Sequence, residues 1–172
     1  TISESQLDSI KDEASDLGYP YIQAKIQPAS EVKTGIDGNF IDLGTGKVSV
    51  EQINLIFNHL PVDITFVDEN DRVCYFSTPL KRIFPRSKAI IGRQVSNCHP
   101  PESVHVVEQI VESFRNGRKD KAEFWIKMKG EYILIQYFAV RDEHGDYKGV
   151  IEVSQEVSGI KALEGEKRLL DW

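Results

Sequence analysis

Residues 132–141, Tyr-Ile-Leu-Ile-Gln-Tyr-Phe-Ala-Val-Arg, constrain this chain most, because they are apolar on both faces of a two-residue alternation. Leu134, Phe138 and Val140 fall on one side; Ile133, Ile135, Tyr137 and Ala139 fall on the other. A strand apolar on both sides is central to its sheet and covered twice. Its neighbours fit that role. Residues 121–128 alternate Ala122, Phe124, Ile126 and Met128 against Lys121, Glu123, Trp125 and Lys127, and residues 147–153 close a three-stranded meander after the turn Asp142-Glu143-His144-Gly145-Asp146.

Upstream the pattern changes twice. Ser49-Val50-Glu51-Gln52 is a capping box, followed by Val50, Ile53, Ile56, Phe57 and Leu60 on one helical face and by Pro61 as a stop. Residues 62–67 and 72–77 then read as a hairpin turned by Asp68-Glu69-Asn70-Asp71. Residues 79–91 supply short helical or coil pieces. Pro101 and Glu102 open a longer helix that runs to about Asn116 and stops at Gly117. Near the start, Leu7, Ile10, Ala14 and Leu17 mark an amphipathic helix ended by Gly18. The Pro- and Gly-punctuated residues 19–48 read as a linker with a short strand at residues 40–43. From Val157 to Trp172 the pattern turns helical again.

A chain of 172 residues, 40% of them hydrophobic, supports one packed domain plus an extension. The net charge of −6 argues against nucleic-acid or anionic-membrane binding. The local basic group Arg115, Arg118, Lys119, Lys121, Lys127 and Lys129 is read as a solvated rim. No apolar run has the roughly 20 residues that span a bilayer, and residues 1–5 lack the features of a signal peptide. Cys74 and Cys98 form neither a disulfide framework nor a C-x-x-C pair, which fits a reducing, cytoplasmic setting. A first residue that is not Met and a charged helical end suggest a piece of a longer protein.

The order hairpin, short helices, longer helix, meander, around the stretch Gly92-Arg93-Gln94-Val95-Ser96-Asn97-Cys98-His99-Pro100-Pro101-Glu102, resembles that of a PAS sensor domain. Within that family, residues 50–172 are similar to the C-terminal PAS domain of prokaryotic proteins with a hemerythrin-like domain upstream. The residues that carry the likeness run from Leu60-Pro61-Val62-Asp63-Ile64-Thr65-Phe66-Val67-Asp68-Glu69 through Ile91-Gly92-Arg93, Asn97-Cys98-His99-Pro100-Pro101 and Phe124-Trp125-Ile126. They continue in residues 137–143 and end in residues 163–172. The chain has four histidines, all after residue 58, and so lacks the ligand set of a diiron bundle. The resemblance implies an α+β fold: a five-stranded antiparallel sheet with helices over one face, plus the N-terminal helical extension. The implied domains are residues 1–48 as extension, 49–157 as sensor and 158–172 as a signalling or docking helix.

A PAS domain of this kind places a cavity between the inner sheet face and residues 79–116. The expected walls are Phe66, Tyr75, Phe84, Ile91, Val107, Phe124 and Phe138, with Asn97, Cys98 and His99 as polar anchors, and the expected ligand is a small apolar or mixed molecule. Cys98 and His99 also suit a transition metal or haem, but His99-Pro100 reads better as a structural start to the long helix, and His105 points away from the stripe Val104, Val107, Val111, Phe114. His59 and His144 carry little signal. Cysteine–histidine catalysis is not expected, since adjacent side chains diverge and no orienting third residue is evident. Gly44-Thr45-Gly46-Lys47 lacks phosphate-loop spacing and reads as a turn.

Three readings follow. The first is a non-catalytic sensory module that binds a small molecule and relays through contacts in a homodimer. The second is an interaction or dimerisation module with a filled core. The third, less favoured, is a haem or metal redox sensor. Expected interface residues are Trp125, Ile133 and Ile135 on the outer sheet face and Ile160, Leu163 and Leu170 on the C-terminal helix. Trp125 stands among charged neighbours and should be covered by the 49–60 helix, the extension or a second subunit.

Overall fold

The computed structural model describes residues 36, 37 and 39–169. The helix expected at residues 5–17, most of the linker, and Leu170 lie outside that range. The chain divides into two compact units, residues 1–47 and 48–172. In the first, β1 (Ile36–Asp37) pairs antiparallel with β2 (Phe40–Asp42). Strand β3 (Lys47–Ser49) leads into helix α1 (Val50–His59), and the capping box forms as the sequence requires. Gln52 N donates to Ser49 Oγ at 3.1 Å and Ser49 N donates to Gln52 Oε1 at 2.8 Å.

The second unit is built on five antiparallel strands in the order β5-β4-β8-β7-β6. They are β4 (Asp63–Asp68), β5 (Val73–Phe76), β6 (Lys121–Met128), β7 (Glu131–Arg141) and β8 (Tyr147–Glu156). Asp68 builds the β4–β5 turn, its Oδ1 accepting from Asn70 N at 3.0 Å and Arg72 N at 2.8 Å. Lys129 (φ 53) and Gly130 (φ 91) turn β6 into β7 with positive φ at both central residues, as a tight hairpin demands. Gly149 (φ 136) is needed at the β8–β4 contact, where a Cβ would lie 2.1 Å from the Val67 carbonyl oxygen.

Helix α2 (Pro101–Arg115) has proline in its first turn, Glu102 near the positive end of its dipole and Arg115 near the negative end. It lays Val107, Ile110, Val111 and Phe114 on the sheet against Val150, with Ala122, Tyr137, Ala139 and Tyr147 packed around them. Phe114 is 1% exposed and anchors the core. Arg141 fastens the end of the helix to the sheet, its Nη2 donating to Phe114 O at 2.6 Å and its Nε to Asp120 Oδ1 at 2.9 Å.

Strand register settles the faces. Phe124 stands opposite Ile135, and Ala122 opposite Tyr137 on the α2 side; Phe138 stands opposite Lys121 and Ile151 on the other side. Phe124 and Phe138 therefore do not share a wall, and Phe124 is 40% exposed at the sheet edge. Ile133 and Ile135 were expected on the outer face beside Trp125, but Leu134 is the residue opposite Trp125, and Ile133 is 3% exposed on the inner side. Trp125 itself is 70% exposed and α1 does not cover it. Instead α1 sets Phe57 against Tyr75, ring centroids 5.7 Å apart. The C-terminal helix expected to Trp172 is a single turn, α3 (Ser158–Lys161). Gly165 adopts φ 63 and Arg168 bonds Glu166 at 2.6 Å rather than pairing four residues back, so the marginal helix ends early.

Candidate ligand-binding site

The inner face of β4 is polar where an apolar wall was expected. Its buried residues are Asp63, Thr65 and Val67, and the same face of β8 carries Val150, Glu152 and Ser154. Phe66 and Tyr75, paired with each other, face the α1 side instead. The reason is a pair of arginines in residues 79–91, a segment that is irregular except for a 3-10 turn at Lys88–Ile90.

Arg82 is 12% exposed and spends its guanidinium on the chain around it. Nε donates to Phe84 O at 2.8 Å, Nη2 to Thr65 Oγ1 at 3.3 Å and Nη1 to Ser77 O. Asp63 completes the knot: its Oδ2 accepts from Ile83 N at 2.9 Å and Phe84 N at 3.1 Å and lies 3.7 Å from Arg82 Nε. A buried carboxylate with two N–H donors and a cation is paid in full.

Arg86, 14% exposed, is engaged more loosely. Its Nη2 lies 3.5 Å from Glu152 Oε2, and its buried Nε has no hydrogen-bond partner. Burial pushes the Glu152 carboxyl up, and Arg86 and then Arg82 oppose the rise. Burial pushes His99 down, with Arg86 adding to the effect, and drives the Tyr137 phenol up. Arg86 is thus the charge beside Glu152, and its field reaches the half-buried Tyr137 and His99 as well.

One space adjoins Tyr137 and Glu152, and a second adjoins the Asp63–Arg82 knot. Between sheet and α2 lies a void of about 20 Å³ lined by Val67, Val95, Val107, Ile110, Val111, Tyr137, Val150 and Glu152, room for one water. At the end of the sheet, a groove of about 600 Å³ runs between residues 58–63, residues 79–83 and the β6–β7 hairpin. Leu60, Pro61, Val62, Ile83, Met128 and Ile133 give it an apolar lining, while Asp63 and Arg82 stand in its floor. Its size is that of a small-molecule site.

Of the ten expected pocket residues, Val107 borders the void and none borders the groove. Phe66, Tyr75 and Phe138 are on the opposite face, Ile91 and Asn97 are exposed, and Phe84, Cys98 and His99 are half-buried. Cys98 Sγ donates to Gln94 O at 3.6 Å within its own turn. The Cys74 thiol is pushed up by burial and by its contact with Asp68, the reverse of what an attacking thiolate needs. Among the described residues no three His, Cys, Asp or Glu side chains are grouped to hold a metal, and no helix is long and apolar enough to cross a membrane. Asp63, Arg82, Arg86 and Glu152 escaped the sequence reading; the one signal was an acidic residue at the inward phase of each of two strands.

The family model that matches this chain is described as a PAS domain and spans residues 53–158, from within α1 to the start of α3. The chain belongs to the PAS domain family. A crystal structure of a C-terminal domain from Streptococcus mutans is 36% identical, with a TM-score of 0.66, covering 78% of this chain and 100% of that one. The PAS domain of a protein from Colwellia psychrerythraea is 16% identical, with a TM-score of 0.47, over 64% of this chain and 98% of its own. A sensory box sensor histidine kinase from Vibrio cholerae is 12% identical, with a TM-score of 0.45, over 62% and 90% respectively. Comparison with curated protein sequences gives no match. This PAS domain has the five-stranded antiparallel sheet expected of it.

Proposed function

We propose that this PAS domain is a cytoplasmic sensory and regulatory module that binds a small apolar or mixed molecule without transforming it and relays occupancy through contacts between two copies. One observation carries the reading: the 600 Å³ groove has the Asp63–Arg82 knot in its floor. That knot fixes residues 77–84 to the sheet, so an occupant pressing on Ile83 or Arg82 acts directly on the segment that covers the inner face. Residues 49–157 form the sensor in this reading, and residues 158–172 pass the signal on. The upstream partner is a hemerythrin-like domain, as the likeness of residues 60–69 and 163–172 suggests.

Native mass spectrometry of the purified protein tests the binding step. The expected result is an adduct of one small molecule per chain, lost in Met128→Glu, which places a charge in the groove lining. A bare chain mass, together with no thermal shift across a library of small amphiphiles, would overturn the reading. The near-filled interior, with its 20 Å³ void, favours a second reading: an interaction module that uses its surface alone. In that case the chain mass is bare and Met128→Glu leaves assembly unchanged.

A further inference from the structure

The two edges of the sheet are treated differently. The β5 edge is covered: Val73 N donates to Arg93 O at 3.0 Å, Gly92 N donates to Val73 O at 2.8 Å, and Arg72 bridges Gln94. Strand β6 ends the sheet on the other side, and among the described residues nothing pairs with its outer edge. It runs 8 residues in unbroken register with β7, with no bulge and no proline. Phe124, Trp125 and Ile126 are all exposed there, apolar on both faces. Long, flat, apolar edges are what proteins blunt unless they use them.

The phase of the ladder shows which residues face outward. Ala139 N donates to Asp120 O at 2.9 Å, and hydrogen-bonded pairs recur every second residue in an antiparallel ladder. The even residues 122–128 therefore bond β7, and Lys121, Glu123, Trp125 and Lys127 turn their backbone N–H and C=O groups to the open edge.

We propose that β6 pairs antiparallel with β6 of a second copy, Trp125 against Trp125, with Glu123 of each chain opposite Lys127 of the other. The proposal rests on the two-copy relay above and supplies its surface. The odd residues are self-complementary in this register alone of the near ones. A shift of two residues along the partner sets Lys121 against Lys127 twice; two the opposite way shorten the overlap and put Trp125 against Lys127; four toward the first set Glu123 against itself. In the chosen register Phe124 meets Ile126 of the other chain on the inner face, and the two indoles meet on the outer face. Glu123 is held by Lys121 Nζ at 2.7 Å on its own strand and by Gln136 Nε2 at 3.2 Å on β7, so it swings from β7 to the edge when a second copy pairs. Lys127 lies over the Tyr132 ring, 5.8 Å from its centroid.

Sedimentation equilibrium of the full chain, with Glu123→Lys, Lys127→Glu and the double exchange, is the test. Both positions are exposed, and circular dichroism checks that each variant folds. The expected result is a dimer weakened about tenfold or more by either single change, since like charges directly opposite destabilise strand pairing, and restored by the double exchange. A dimer indifferent to the single changes, or not restored by the exchange, overturns the edge pairing and leaves the relay standing on another surface. A monomer at every concentration overturns both.

Discussion

Arg82 and Arg86 are four residues apart and almost equally buried, yet their removal should have very different costs. Arg82→Met strips donors from the carbonyl oxygens of Ser77 and Phe84 and from Thr65, and removes the cation beside buried Asp63. None of those carbonyl or hydroxyl acceptors can titrate its way out. Breaking a buried, hydrogen-bonded charge in this way costs about 3–5 kcal/mol. Arg86→Met removes one contact of 3.5 Å and also deletes the orphaned Nε. The carboxylate it leaves, Glu152, can take a proton, and near pH 5 protonating an ordinary glutamate costs about 1 kcal/mol. Urea unfolding at pH 5 should show a large drop in midpoint for Arg82→Met and a drop of about 1 kcal/mol for Arg86→Met, with unchanged slopes. Equal losses, or a larger one for Arg86→Met, would refute the division into a structural and a loosely held arginine.

Phe114→Ala should cost about 3–5 kcal/mol as a core aromatic deletion, and Phe124→Ala well under half of that because its ring is already part-exposed; denaturant melts of the two variants check the ranking. His99 is pushed below its ordinary value on folding, so the folded state prefers it neutral. Its stabilising contribution is present above the unfolded pKa of about 6.5 and is lost as pH falls toward the folded one. Thermal melts from pH 7.5 to 5 should show a shallower decline in His99→Gln, and an unchanged slope would count against the assignment. Purified protein supplied with haem should show no Soret band; a stoichiometric complex lost in His99→Ala or His105→Ala would contradict this.

Elements with one strong local determinant were readable from the residues. The capping box at Ser49 and Gln52, the opening at Pro101 and the positive-φ stop at Gly117 each act within a few bonds, and each appears where it was expected. The meander was legible because β7 is apolar on both sides. The site was not legible, and the same property explains why. In β4 the apolar set, Ile64 and Phe66, faces α1, while the polar set, Asp63 and Thr65, faces the interior. Alternation separates two faces but cannot say which one is the core when both are covered. What makes Asp63 tolerable inside is Arg82 and two backbone N–H groups some 20 residues further on, a long-range match that no local pattern encodes. The C-terminal helix failed for the opposite reason: residues 157–172 have helical spacing, but a segment that short persists only where packing supports it.

Strand β4 pairs with β8 along its whole length, Asp63 opposite Ser154 and Asp68 opposite Gly149, so the first strand of the sheet is completed by the last. On a ribosome, β4, β5 and the arginine segment emerge early and must wait for roughly another 80 residues before their central partner exists. During that interval Asp63 and Arg82 can meet, because both precede β6, but their contacts stay solvated and weak while the sheet is absent. Glu152 and Arg86 cannot meet until β8 has emerged. Closure of the sheet by β8 is therefore a late, non-local step, and a chain cut short before Tyr147 leaves β4 and β7 each with an open edge facing the other. Truncated forms should accumulate as aggregates rather than as smaller folded domains.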